Sequence, residues 1–169
     1  MSFLSDDSSY LPVDKMTDYA YTKYISENYC LRSGLKNLTN VRFSTIYYDD
    51  EKRDGISKLI KDIRVNNEVT LYNKGIAKRD IMPIRILIMY LYKLCNVTTL
   101  SKKYNIVSGI QTSFMDIVNV LLKHYPTLKI ANKEIEAYNV LCDFSKQDVV
   151  SLGEIKFSLE EEIELNIKN

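Results

Sequence analysis

The chain has 169 residues, room for one domain of ordinary size, and its 46% hydrophobic and 27% charged content is a globular balance rather than a disordered one. Lys plus Arg is 23 and Asp plus Glu is 22, so the formal charge of +1 lacks the positive excess on which non-specific binding to nucleic acid or an anionic membrane depends. Three well-separated cysteines and one histidine, His124, supply no metal-ligand cluster, and an odd cysteine count without a signal-like N-terminus reads as reduced thiols in a cytoplasm.

Taken in chain order, Asp18 caps a predicted helix over 19–32, closed by Gly34. Residues 38–48 are rich in β-branched and aromatic side chains and read as one buried strand. A charged loop over 49–54 ends at Gly55, and apolar residues at 56, 59, 60 and 63 then give helical spacing to 66. Residues 69–72 form a short predicted strand, ended by Asn73-Lys-Gly75. The most apolar stretch, 81–97, is interrupted by Pro83, Arg85 and Lys93, so it reads as a core helix over 84–95 and not as a membrane span. A strand over 103–107 closes at Ser108-Gly109. Ser113, with Asp116 three residues on, opens a helix reaching to about His124, and Ser158-Leu-Glu-Glu161 repeats that pattern before a short acidic helix. Alternating strands and helices argue for an α/β fold with parallel pairing, in a single domain over 1–169.

The five glycines stand at 34, 55, 75, 109 and 153, and no two fall within four residues of each other. Neither a dinucleotide fingerprint nor a phosphate loop is present, because both need clustered glycines to bring backbone close to phosphate. Tyr19 and Lys23 are spaced so as to share a helix face, where an ammonium favours the phenolate form of a neighbouring tyrosine. Such a tyrosine exchanges a proton with a substrate hydroxyl. The same spacing recurs at Tyr48/Lys52 and Tyr125/Lys129, so spacing alone also describes ordinary surface pairs.

Context separates the first pair. Tyr19-Ala-Tyr-Thr-Lys23-Tyr-Ile-Ser-Glu27 is followed by Arg42-Phe-Ser-Thr45-Ile-Tyr47, by Gly75-Ile-Ala-Lys-Arg79-Asp80, and by Tyr104-Asn-Ile-Val-Ser-Gly109. In that order these resemble the C-terminal half of the extended short-chain dehydrogenase/reductases, the NAD-dependent epimerase/dehydratase family. The resemblance implies a partial Rossmann-like doubly wound sheet with a small C-terminal substrate-binding subdomain, lacking the N-terminal dinucleotide-binding half. It implies a truncated or split nucleotide-sugar epimerase or dehydratase, inactive alone, or else a non-catalytic remnant or binding module retaining a weak nucleotide-sugar site. Tyr19 would be the general acid/base, and Lys23 would tune it and hydrogen-bond the nicotinamide ribose. Thr45 would lie near nicotinamide and substrate, and Arg79 would reach the diphosphate of a nucleotide-sugar. The hydroxyl assisting the tyrosine would come from Phe3-Leu-Ser5-Asp-Asp-Ser-Ser-Tyr10, with Ser5 the candidate, one place from the position that Asp6 takes. Family members carry Gly where Tyr48 stands, and acidic residues where Ile84-Arg85-Ile86 stands. NAD is the implied cofactor, not expected to bind to this chain alone. The implied partners are a nucleotide-sugar and a separate chain carrying the Rossmann half, or further copies of this chain, with no nucleic acid, membrane or metal.

Overall fold

The computed structural model describes residues 13–48, 54–97, 103–135 and 147–168. Its principal elements are α1 (Asp18–Arg32), β1 (Asn40–Phe43), β2 (Thr45–Tyr47), α2 (Gly55–Asn66), β3 (Glu68–Tyr72), β4 (Lys78–Pro83), α3 (Ile84–Cys95), β5 (Lys103–Ile106), β6 (Gln111–Ser113), α4 (Phe114–Leu122), β7 (Lys129–Lys133), α5 (Gln147–Ser151) and α6 (Leu159–Lys168). The fold is α/β. Three strand pairs are parallel, β1 with β5, β2 with β4 and β3 with β7. The β4–β6 pair is antiparallel, with Asp80 opposite Gln111 and Lys78 opposite Ser113. No described helix is long and apolar enough to cross a membrane.

The strand expected over 38–48 is two strands. Val41 and Ile46 both pack on the core that includes Met82, Ile86, Tyr90, Tyr104 and Ile106. An unbroken strand would send residues five apart to opposite faces. Ser44, outside both strands, resets the alternation, and the chain changes neighbour there from β5 to β4. A second core gathers Ile56, Ile60 and Ile63 of α2, Val69 and Leu71 of β3, Ile81, and Ile117, Val118 and Leu121 of α4. The helical spacings read for α2 and α4 are therefore the stripes that face this core.

Caps refine the expected ends. Thr17, not Asp18, caps α1, its hydroxyl accepting from the N–H of Ala20 at 3.2 Å. Ser113 and Asp116 form the expected reciprocal box at the start of α4, with bonds of 2.8 and 3.0 Å. Hydrogen bonds from the Ser113 side chain and its N–H hold the Asp116 carboxyl below its ordinary value. A depressed folded-state pKa stabilises the fold above the ordinary carboxylate range, and that contribution is lost as pH falls through the folded value. Asp116→Asn should therefore lower the melting temperature at pH 7 and show a smaller deficit, relative to wild type, at the lowest pH at which both still fold. An equal deficit at every pH would contradict this.

The last helix is tied to the second core and to α3. Ile163 is buried, Asn166 donates to the Tyr47 hydroxyl at 2.5 Å, and Glu162 pairs with Arg85 of α3. Glu161 donates its N–H to the Ser158 hydroxyl at 3.4 Å, so the second serine read as a cap does stand at a helix start.

Candidate functional site

Helix α1 buries none of its residues completely. A two-armed ion pair ties it to the sheet: Arg42 of β1 donates from Nε and one terminal nitrogen to the two oxygens of Glu27, at 2.8 and 2.6 Å. Both side chains are nearly covered, at 10% and 14% exposure. Fork-to-fork geometry fixes direction as well as distance. Seven residues join α1 to β1, and the Glu27–Arg42 pair sets the second half of the helix beside the strand.

From the Glu27–Arg42 pair, eight residues back along α1 lead to Tyr19, about 12 Å of helix. Three residues forward along the strands lead to Thr45, about 10 Å. Thr45 follows the C-terminal end of β1, the end at which open parallel sheets seat their ligands. Thr45 and Arg42 also share a face, since their neighbours Ile46 and Val41 both turn to the opposite one. Thr45 pairs with Ile81, and Arg79 lies two residues before Ile81, so Arg79 belongs to that face too, about 7 Å back along β4.

Lys23 holds its ammonium 5.4 Å from the ring centroid of Tyr19, and both residues are exposed. Of the two other pairs with this spacing, Tyr125 lies beyond the end of α4 while Lys129 opens β7, so they share no helix. Tyr48 precedes α2, and Lys52 lies outside the described residues, as do Ser5, Asp6 and Tyr10.

Arg79 lines an open cavity of about 860 Å³. One wall is α2, through Gly55, Lys58, Leu59 and Asp62; another is all five residues of β3; Gly75, Phe114 and Ile135 complete it. Since odd and even residues of β3 both contribute, the cavity runs along the strand's edge and not over one face. Tyr19, Lys23 and Thr45 are not among its lining residues. The neighbour Asp80 is no surface partner for Arg79: it is 1% exposed and accepts N–H bonds from Ser108 at 3.0 Å and Gly109 at 2.6 Å. The Arg79 guanidinium donates to the Lys78 carbonyl at 2.8 Å. The supporting carboxylates, Glu27 and Asp80, are residues that the sequence motifs contain but whose partners the spacing does not reveal.

Several solved structures share this fold. An NAD-dependent NDP-hexosamine 5,6-dehydratase involved in tunicamycin biosynthesis is 21% identical, with a TM-score of 0.78 over 90% of this chain and 53% of its own. The Helicobacter pylori ADP-L-glycero-D-manno-heptose-6-epimerase is 15% identical, with a TM-score of 0.77 over 98% of this chain and 58% of its own. The Thermotoga maritima UDP-glucose 4-epimerase, solved with UDP-glucose, is 21% identical, with a TM-score of 0.73 over 89% of this chain and 52% of its own. These likenesses establish the fold, and the chain spans a little over half the length of the structures it matches. No curated protein matches it by sequence. The sequence model of the NAD-dependent epimerase/dehydratase family matches residues 3–106, more than half of the chain, and the chain belongs to that family.

Proposed function

We propose that the chain is the substrate-side half of a nucleotide-sugar epimerase or dehydratase. In this reading Arg79 grips the diphosphate, for which its planar fork is suited. The sugar extends from the cavity toward the end of the sheet where Tyr19 and Thr45 lie. The Tyr19 phenol takes or returns the proton of the reacting hydroxyl, with Lys23 and Ser5 assisting. The observation that carries the reading is the shared face: Arg79 lines a cavity of about 860 Å³ and lies on the same face as Thr45, two residues back along the parallel strands.

NAD, when bound, supplies the hydride acceptor. Among the described residues, the Tyr19 hydroxyl, the Lys23 ammonium and the Thr45 hydroxyl suit its ribose and nicotinamide end. Its pyrophosphate is less well served. Gly55 opens α2, but the Asp54 carboxylate already takes that helix end, accepting from the N–H and hydroxyl of Ser57 at 2.7 and 2.8 Å and from the N–H of Tyr48 at 2.9 Å. A carboxylate there repels a second anion. We therefore assign the pyrophosphate to a dinucleotide-binding half outside the described residues. Helix α3 supports this, because Ile88, Met89, Leu91 and Tyr92 are all exposed on it. Its two charges are engaged, Arg85 with Glu162 and Lys93 with the carbonyls of Leu152 and Gly153. An apolar helix face of this kind is normally covered.

Calorimetric titration with UDP-glucose and dTDP-glucose tests the reading. Arg79→Ala should weaken binding by about 1.5–3 kcal/mol, as for a charged hydrogen bond. Tyr19→Phe should bind like wild type yet lose turnover in the NAD-loaded assembly. No binding by wild type, or unchanged binding by Arg79→Ala, would overturn it. A non-catalytic binding module is the second reading, favoured by the absence of Tyr19, Lys23 and Thr45 from the cavity lining. Nucleotide-sugar binding with no turnover by wild type in the NAD-loaded assembly would favour that reading, and equal turnover in wild type and Tyr19→Phe would remove the role of Tyr19.

A further inference from the structure

The turn after β3 is built in an unusual way. Asn73, Lys74 and Gly75 are three consecutive residues with positive φ, at 48, 56 and 69°. Gly75 is required by space as well, since a Cβ there would stand 2.9 Å from the backbone nitrogen of Met115. The parallel ladder between β3 and β7 ends with Tyr72 opposite Lys133. Beyond it the Asn73 side chain takes over from the backbone. Its Nδ2 donates to the carbonyl of Ile135 at 2.7 Å, and its Oδ1 accepts from the N–H of Ile135 at 2.8 Å. A primary amide offers the donor and acceptor of a peptide unit, so the side chain extends the ladder one step after the main chain has turned away. Tyr72, Gly75 and Ile135 all line the cavity that holds Arg79.

We infer that Asn73 is a positioning residue of the ligand cavity: its two-way bond to the Ile135 backbone fixes the part of the wall that Tyr72, Gly75 and Ile135 form. Asparagine suits both demands of the position. It tolerates a left-handed backbone better than most residues, and it both donates and accepts. Glycine meets only the first demand and aspartate only half of the second. Ile135 is 51% exposed, and among the described residues this two-way bond is what ties its backbone to the end of β3.

The inference rests on the nucleotide-sugar reading of the cavity, and the test separates the two. Asn73→Gly suits the backbone and removes both bonds, so it should still fold, with a melting temperature a few degrees below wild type at most. Its affinity for UDP-glucose should fall roughly tenfold, the scale of one to two lost hydrogen bonds. Amide exchange at Ile135 should accelerate in parallel. Asn73→Asp keeps the acceptor and should fall between the two. Wild-type protein that binds UDP-glucose no better than Asn73→Gly, with Ile135 exchanging alike in both, overturns the clamp alone. Wild-type protein that binds no nucleotide-sugar overturns the reading of the cavity and the clamp's role with it.

Discussion

Glu27→Ala is expected to destabilise the protein by about 3–5 kcal/mol, the range for breaking one half of a covered ion pair. Arg42 would be left with its fork toward a cavity, at 10% exposure, without the carboxylate that accepts two of its N–H groups. Much of that penalty is the desolvated charge and not the lost attraction, so the double variant Glu27→Leu with Arg42→Met should recover most of it. The effect on function should be larger than the effect on stability. Because α1 buries no residue completely, its apolar contacts leave its rotation and slide weakly determined. The pair sets both, and with them the height of Tyr19 and Lys23 above the strand ends. The double variant should therefore melt nearly like wild type while losing the turnover that the proposed function assigns to the NAD-loaded assembly. Denaturant titration of the two variants beside wild type decides the first part; a double variant as unstable as Glu27→Ala would show that the pair's geometry, not the buried charge, carries the energy.

The same pair marks where the sequence was legible and where it was not. Helices α2, α3 and α4 announce themselves through apolar spacing, because each turns one stripe to a core. Helix α1 does not, since what orients it is an ion pair spanning 15 positions and not a stripe. Residues Glu27, Arg42, Asp80 and Gly109 all lie in the motifs that suggest the family, yet spacing along the chain cannot say that the first two join each other and the last two join each other. Strands β4, β6 and β7 were not foreseen as strands. They are short, partly polar and flanked by residues that also suit turns, so no period of two emerges. The tie between Asn73 and Ile135, 62 positions apart, is equally invisible before the β3–β7 register is known. The candidate site is legible as a list of residue types; its shape comes from register.

Asp80→Ala should be the second most damaging change. The carboxylate is 1% exposed and accepts the N–H groups of Ser108 and Gly109, which begin the turn between β5 and β6. Ser108 is itself buried, so its N–H would lose its acceptor with little access to water. Gly109 is exposed and holds φ at 70°, so water can replace part of its loss. Leaving one N–H unsatisfied and a second partly so costs about 2–4 kcal/mol, or a fall of about 5–15 °C in melting temperature for a domain of this size. The damage should propagate along the chain in a definite order. Residues 111–113 pair antiparallel with 78–80, and Ser113 then caps α4, so the turn, β6 and the start of α4 share one support. Arg79, opposite Thr112 in that pairing, should lose its fixed place on the cavity wall. Amide exchange should accelerate first at Ser108 and Gly109 and next at the β4–β6 pair, while α1 keeps the protection of wild type. Acceleration spread evenly over α1 and the β4–β6 pair would mean that Asp80 supports the whole fold and not the seat of Arg79.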